Sequence, residues 1–238
     1  MNYLNYIQDD NREIDQLKSL FMSEYPEHEY LLAESSTWKG DNNHPARFGL
    51  TSGVNILVEM YLIAYIYENK PMTVLEYGSG KTTYIMSTVM KDLNYGGKVI
   101  SFEDDESWFI QNEKKGLYEG SEVHLVSTKT GSRDEQYQGS NKYVYYDHNF
   151  SNIESVDFIL SDGPTLQDGV NYCDNWYRAT KHFKEPFDLL IEGRTGEQER
   201  LQHLYGDQTK ISRLGVHENV DKIKFGKCGI GTQIGGKQ

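Results

Sequence analysis

The fold is decided by one stretch of the chain, Val74-Leu75-Glu76-Tyr77-Gly78-Ser79-Gly80-Lys81-Thr82-Thr83. It begins with an apolar run that favours a buried strand. Its two glycines allow the backbone to turn sharply and to pass close to another group. The residues that follow, up to Leu93, carry apolar side chains at helical spacing. The stretch therefore predicts a strand that ends in a glycine turn, with a helix beginning directly over the turn.

Two kinds of nucleotide-binding turn share this outline. The tail Gly-Ser-Gly-Lys-Thr-Thr resembles the end of a P-loop, whose rule is G-x-x-x-x-G-K-[ST]. That rule needs a glycine at position 75, where the chain has Leu75, and the apolar run continues as far as Gly78. We therefore favour a Rossmann-type turn. A P-loop phosphotransferase that uses Lys81 and Thr82 on phosphates is kept as the alternative.

The same residues resemble motif I of the class I S-adenosylmethionine (SAM)-dependent methyltransferases, an apolar strand followed by acidic-apolar-Gly-x-Gly. A carboxylate suits the sulfonium and ammonium groups of SAM and would repel a triphosphate. The resemblance implies that SAM is the cofactor. The residues of this segment that it assigns to cofactor binding are Glu76, Gly78, Ser79, Gly80, Thr82 and Thr83.

A second acidic strand end follows at the spacing of the Rossmann rule, roughly 20 residues after the glycines. The run from Lys98 to Phe102 has strand character and leads directly into Glu103. The resemblance implies that Glu103 binds the ribose hydroxyls and that the adjacent Asp104 also contacts the cofactor. Trp108, a few residues further on, is interpreted as core packing.

Two more apolar strands end in acids. The segment Ser161-Asp162-Gly163-Pro164 resembles a D-G-P variant of motif IV, similar to that of many small-molecule and saccharide methyltransferases. The next strand ends in Glu192. Ligands of open parallel sheets bind at the carboxyl ends of the strands, so Glu76, Glu103, Asp162 and Glu192 are expected to face one crevice. Each carboxylate buried there without water or a partner would carry a free-energy cost of desolvation. Four of them at one edge therefore indicate a binding site and not packing alone.

The predicted chemistry is the removal of one proton from a positioned acceptor. Asp162 is the predicted catalytic base, and His148 is the second candidate. A Mg²⁺ ion held by Asp162 and Glu192 would resemble the catechol-type O-methyltransferases. Those enzymes have an Asp-Asn pair where this chain has Glu192-Gly193, which lacks the side-chain amide. No metal is therefore predicted.

The predicted fold class is α/β, with a Rossmann-like, mostly parallel sheet of seven strands and helices on both faces. An antiparallel hairpin from residues 210–214 and 223–226 is expected to close the sheet. Residues 51–238 form the predicted SAM-binding core. Residues 1–50 form a helical extension, interpreted as a cap or as a homodimer contact. The long insert at residues 128–153 is expected to form a small hairpin beside the site.

Composition limits the partners. The 238 residues carry 24 basic and 36 acidic side chains, a net charge of −12. Such a surface is a poor partner for nucleic acid or anionic membranes. The two cysteines fit neither a disulfide framework nor a zinc site, and the polar start resembles no signal peptide. These features predict a cytoplasmic protein whose longest apolar run, from Val54 to Tyr67, is too short to cross a bilayer.

The predicted function is O-methyl transfer from SAM to a small molecule or a saccharide. The P-loop phosphotransferase is one alternative. The other is a non-catalytic SAM-binding or scaffold protein, which would bind the cofactor without turnover.

Overall fold

The computed structural model describes residues 3–4, 14–32, 52–137, 139–166, 169–170, 172–192, 195–205, 211–213 and 226–228. Its strands are β1 (Thr73–Tyr77), β2 (Lys98–Glu103), β3 (Glu122–Leu125), β4 (Thr128–Tyr137), β5 (Ser140–Tyr146), β6 (Phe158–Ser161), β7 (Tyr172–Cys173), β8 (Asp188–Ile191), β9 (Ile211–Arg213) and β10 (Gly226–Cys228). Its helices are α1 (Ile14–Glu24), α2 (Ser52–Asn69), α3 (Lys81–Leu93), α4 (Glu106–Lys114), α5 (Asn175–His182) and α6 (Thr195–Tyr205). A 3₁₀ turn at Pro26–His28 follows α1.

Seven strands form the central sheet in the order β3-β2-β1-β6-β8-β10-β9. The first five are mutually parallel, and β10 runs antiparallel to both β8 and β9. This confirms the predicted mostly parallel, seven-stranded Rossmann-like sheet with its antiparallel C-terminal pair. The second strand of that pair extends to Cys228, beyond the predicted end at Gly226, and residues 223–225 lie outside the described residues.

The two faces of the sheet are covered by different helices because neighbouring residues of a strand point to opposite faces. Val74 of β1 packs into a cluster with side chains of α1, α2 and α3. Leu75 packs into a second cluster, with side chains of α5 and α6. Leu17 and Phe21 of α1 are fully buried in the first cluster, as their helical spacing predicts. The predicted boundary near residue 50 lies outside the described residues.

The insert at residues 128–153 contains the predicted hairpin. Strands β4 and β5 pair antiparallel, and β7 joins β5 in parallel to complete a second, three-stranded sheet. Tyr146, the last residue of β5, is buried and stacks beside Tyr77 of β1 with ring centroids 6.0 Å apart. The small sheet is thereby held against the carboxyl ends of the central strands.

A partly buried ion pair joins α2 to the start of α3. Glu59 lies in the apolar α2 with only 3% of its surface exposed, and Lys81 is the first residue of α3. The Nζ atom of Lys81 donates to Oε1 of Glu59 at 2.7 Å. Lys81 pairs with this carboxylate and not with that of the nearby Glu76, which accepts from Thr82 and Thr83. Because this lysine neutralises a carboxylate of the neighbouring helix, it does not point its charge at a bound phosphate.

Replacing Lys81 by Met should lower the free energy of unfolding by about 3 kcal/mol, because the change removes the cation from a buried carboxylate. The double variant Lys81→Met/Glu59→Leu should recover most of that loss, since it removes both charges together. Chemical denaturation at pH 7 measures both values.

Lys91→Ala is the matched control on the same helix. Its ion pair with Glu119, 3.5 Å long, is formed by side chains that are 70% and 77% exposed. This control should cost less than about 1 kcal/mol. An equal loss in Lys81→Met and Lys91→Ala, or no recovery in the double variant, would contradict the structural role of the pair.

Candidate functional site at the carboxyl ends of the parallel strands

The carboxyl ends of β2, β1, β6 and β8 form one continuous edge. The N–H of Gly78 donates to the carbonyl of Phe102 at 2.9 Å, and the N–H of Asp162 donates to that of Tyr77 at 2.9 Å. The N–H of Glu192 donates to the carbonyl of Ser161 at 3.0 Å. The acidic strand ends expected to face one crevice therefore lie on neighbouring strands of one sheet edge.

Two glycines let the loops after β1 and β6 touch through their backbones. Gly78 has a φ of +96°, which side-chain-bearing residues rarely adopt. A Cβ atom at Gly78 would lie 2.9 Å from the N atom of Gly163. A Cβ atom at Gly163 would lie 2.6 Å from the N atom of Gly78 and would also meet the hydroxyl of Tyr146. The glycine turn and the Asp-Gly-Pro segment thus form one packed unit at the centre of the edge.

Glu76 is held by the start of α3. Its carboxylate accepts hydrogen bonds of 2.5 Å from the hydroxyls of Thr82 and Thr83. The Thr83 hydroxyl also accepts a hydrogen bond from the N–H of Gly80 at 2.9 Å. Burial raises the pKa of Glu76 to about 7, against the lowering effect of the two threonine hydroxyls. The turn is therefore held in place by hydrogen bonds among three residues that were predicted to bind the cofactor, Glu76, Thr82 and Thr83.

Glu103 is 4% exposed and holds the other side of the turn. One carboxylate oxygen accepts from the N–H and the hydroxyl of Ser79, both at 3.1 Å. The other accepts from the N–H groups of Asp104 at 3.0 Å and Asp105 at 2.9 Å. Burial raises the pKa of Glu103, whereas the hydrogen bonds from Asp105 and Ser79 lower it. The predicted ribose ligand is thus also the anchor of the glycine turn.

Two aromatic side chains that the sequence did not assign to the site cover the turn. The indole N–H of Trp108 donates to the carbonyl of Ser79 at 2.7 Å, and its ring lies over Gly80. The hydroxyl of Tyr118 lies 2.6 Å from that of Ser79. Trp108 was interpreted as core packing, but it is partly exposed and bonds the turn directly. No motif marks Tyr118, because it belongs to the irregular segment between α4 and β3.

Asp104 connects the edge of the central sheet to the small sheet. Its Oδ1 atom accepts a hydrogen bond of 3.2 Å from the hydroxyl of Tyr146. The N–H of Tyr146 donates to the side-chain carbonyl of Asn175 at 2.9 Å, and the amide group of Asn175 donates to the carbonyl of Gly163 at 3.1 Å. Tyr146 and Asn175 therefore set the distance between Asp104 and the Asp-Gly-Pro segment.

The two predicted bases have different surroundings. Asp162 is exposed at the end of β6, and its charge contributes to the raised pKa of Glu76. His148 is stacked on Phe102, with ring centroids 3.9 Å apart. Burial lowers the pKa of His148 to about 4, so its ring is neutral at pH 7. Access favours Asp162 for proton removal, because its side chain is exposed at the strand end whereas the Nε2 atom of His148 is buried.

Asp162 and Glu192, the two residues considered for a metal ion, end the neighbouring strands β6 and β8. Within the described part of the chain, no group of three or more His, Cys, Asp or Glu side chains is arranged to hold a metal ion. Among the same residues, no helix has the length and apolar character to span a membrane.

The chain is similar to several solved structures. A candidate O-methyltransferase from Klebsiella pneumoniae matches with a TM-score of 0.50 and 12% identity, over 84% of this chain and 90% of that one. The O-methyltransferase TomG from Streptomyces achromogenes, in complex with SAM, matches with a TM-score of 0.47 and 10% identity. The match covers 83% of this chain and 87% of TomG. The SAH-bound methyltransferase PaMTH1 from Podospora anserina matches with a TM-score of 0.48 and 10% identity. The match covers 84% of this chain and 88% of PaMTH1. No family model and no curated protein sequence matches the chain.

The chain has the class I methyltransferase fold. This conclusion rests on its strand order and on the likeness to the Klebsiella protein, which at 12% identity concerns the fold alone. It confirms the fold that the glycine turn predicted.

The raised pKa of Glu76 predicts a pH dependence of stability. Its folded-state pKa of about 7 lies above the ordinary value of 4.5, so folding favours the protonated carboxyl group. The stability that protonation provides is complete below about pH 4.5 and is lost as the pH rises through 7. Glu76→Gln keeps a neutral side chain at every pH. Relative to the wild type, this variant should gain about 3 kcal/mol of unfolding free energy between pH 4.5 and pH 8. Urea denaturation across this range measures the difference, and parallel curves for the two proteins would contradict it.

Proposed function

We propose that this chain is a SAM-dependent methyltransferase that transfers a methyl group to an oxygen of a small molecule or a saccharide. One observation carries the proposal: acidic residues at the ends of adjacent parallel strands flank a braced glycine turn, in a sheet with the methyltransferase strand order. The Klebsiella protein with this fold is itself a candidate O-methyltransferase, which supports oxygen as the acceptor atom.

The residues at the sheet edge fit SAM chemically. Asp104 and Asp162 add negative charge beside the turn, and Glu103 is buried between the turn and the end of β2. Negative groups suit the sulfonium and ammonium of SAM, and a carboxylate suits a pair of ribose hydroxyls. When bound, SAM supplies an electrophilic methyl group. Glu103 and Asp104 would hold the ribose side, and Gly78, Ser79 and Gly80 would lie along the methionine part.

Asp162 would remove the acceptor proton. It follows the strand beside β1 and is exposed, so an acceptor can reach its carboxylate without unfolding the edge. Its segment is fixed by the contact between Gly163 and Gly78 and by the hydrogen bond from Asn175 to Gly163. A base held in this way needs little reorganisation when the acceptor binds.

We also propose a cytoplasmic location, a small-molecule or saccharide partner and no resident metal ion. The two cysteines, Cys173 and Cys228, fit neither a disulfide framework nor a zinc spacing, which suits a reducing compartment. The helical extension at residues 1–50 is proposed to support the core, because Leu17 and Phe21 share a hydrophobic cluster with α2 and β1. Whether it also joins two copies is open to measurement of the mass in solution.

Glu103 should contribute to SAH binding through direct contact with the ribose. Glu103→Gln removes the charge while keeping the shape, and calorimetry should show SAH affinity reduced about tenfold or more, as expected for charged hydrogen bonds of about 1.5–3 kcal/mol.

Ser79→Ala is the matched control, because it removes one donor to Glu103 and leaves the carboxylate in place. It should change SAH affinity by no more than a few-fold. Equal losses in both variants would mean that Glu103 acts only by anchoring the turn. Absence of SAH binding in the wild type would overturn the proposed function.

Asp162 should serve turnover more than cofactor affinity. Asp162→Asn should bind SAH like the wild type and produce it at least about a hundredfold more slowly, since a base acting in the transition state contributes about 10²–10⁴ in rate. The readout is SAH formation with any accepted member of a panel of hydroxylated small molecules and saccharides.

His148→Gln provides the comparison. It should keep SAH formation within a few-fold of the wild type, because the ring is stacked on Phe102 and its Nε2 atom is buried away from an acceptor. Full activity in Asp162→Asn together with a large loss in His148→Gln would show that His148, and not Asp162, removes the acceptor proton. Cofactor binding without turnover of any acceptor would favour the non-catalytic alternative.

A further inference from the structure

A second concave surface lies on the other side of the small sheet from the glycine turn. We call it the cationic groove. It has a volume of about 480 Å³ and opens to solvent between β5 and α5. Its walls carry three cationic side chains and three tyrosines, Arg133, Arg178, Lys181, Tyr143, Tyr145 and Tyr177. Successive residues of a strand point to opposite faces, so Tyr145 lines this groove while Tyr146 contacts Asp104 at the sheet edge.

Positive charge is in excess at the groove. Asp174, 1% exposed, is the acid among its lining residues, and it accepts hydrogen bonds from both Arg133, at 2.6 Å, and Arg200. Burial, followed by the charge of Arg133, lowers the pKa of Arg200 to about 10. Arg178 donates to the carbonyls of Tyr146 and His148, which do not neutralise its charge. This concentration of cations is notable in a chain whose net charge is −12.

Aromatic rings hold these cations in place. The guanidinium carbon of Arg133 lies 4.8 Å from the ring centre of Tyr143 and 4.7 Å from that of Tyr177. The guanidinium carbon of Arg178 lies 4.3 Å from the ring centre of Tyr145, and Nζ of Lys181 lies 4.9 Å from that of Tyr177. A guanidinium stacked on a ring still has N–H groups at its edge, and these match the oxygens of phosphate or carboxylate.

Buried polar groups also lie beside the groove. The Nε atom of Arg133 is buried and has no hydrogen-bond partner among the described residues. The hydroxyls of Tyr137 and Tyr172 are in the same situation, and their rings are 5.2 Å apart. The ring of Tyr172 also lies 5.9 Å from that of the groove residue Tyr143. These groups make the interior beside the groove polar.

We propose that the cationic groove binds a sugar-sized ligand that carries a phosphate or carboxylate group. Arg133, Arg178 and Lys181 bind the anionic group, and the exposed parts of Tyr143, Tyr145 and Tyr177 contact the sugar ring. The volume lies within the usual range of small-ligand sites. The proposal does not depend on methyl transfer, because the groove and the glycine turn are separated by β5.

Ligand titration of the full chain tests the proposal, with a hexose 6-phosphate, a hexuronic acid, the neutral hexose and inorganic phosphate as probes. At least one charged sugar should bind about tenfold or more tightly than the neutral hexose, because charged hydrogen bonds to the cations are added. It should also bind more tightly than inorganic phosphate, which has no ring. The first two probes distinguish a phosphate from a carboxylate as the recognised group.

Lys181→Glu should weaken binding of the charged sugar about fivefold or more, since it reverses a charge in the groove. Lys98→Glu makes the same charge change at the exposed start of β2, at the opposite end of the sheet. This control should stay within about twofold, because screening limits the effect of a distant charge. Thermal melting of both variants confirms that each is folded.

The proposal is overturned if no charged sugar binds, if the neutral hexose binds equally well, or if the two variants lose the same affinity. Equal binding of inorganic phosphate and the hexose phosphate would overturn the contact with the sugar ring. SAH affinity, measured in the same samples, should be unchanged in Lys181→Glu. Loss of SAH binding alone would contradict the proposed methyltransferase and leave the groove standing.

Discussion

Two buried carboxylates hold the glycine turn from opposite sides, and the geometry of the site depends on them. A carboxylate removed from water is costly unless donors surround it. The hydroxyls of Thr82 and Thr83 offset part of this cost for Glu76, whose pKa burial still raises to about 7, and their bonds fix where α3 begins. For Glu103 the donors are Ser79 and two N–H groups after β2, and their bonds fix the height of the turn above the sheet. With the turn in this position, Gly78 lies against Gly163.

The sequence was sufficient for the features that are encoded locally. A strand of apolar residues, a glycine turn and a helix with apolar side chains at helical spacing each leave a signal within about ten residues, and β1, α3 and β2 were predicted nearly residue by residue. The hairpin expected in the insert at residues 128–153 is formed by β4 and β5. The acidic strand ends could be placed together because parallel strands align their carboxyl ends.

Contacts between distant segments could not be predicted in this way. Lys81 pairs with Glu59, 22 positions earlier, and nothing near Lys81 in the sequence indicates that choice. Arg133, Arg178 and Arg200 come from β4, α5 and α6, and Asp174 accepts hydrogen bonds from the first and the last of them. The bond from Trp108 to Ser79 depends on the height of the glycine turn above the sheet. Such contacts depend on tertiary packing, which no local pattern records.

The position of Lys81 shows why a short motif cannot be interpreted without its surroundings. In a P-loop, the first glycine of the motif ends the strand early, and the loop then wraps around the phosphates with its lysine directed inward. Here Leu75 occupies that position and is buried in the sheet, so the strand continues for two more residues, to Tyr77. The turn is correspondingly short, and Lys81 begins a helix that packs on α2. Glu59 is buried in that apolar helix, where an unpaired carboxylate would be costly, so the charge of Lys81 stabilises it. The lysine that resembles the phosphate-binding lysine of a P-loop therefore has a structural role, as the partner of Glu59 between two packed helices.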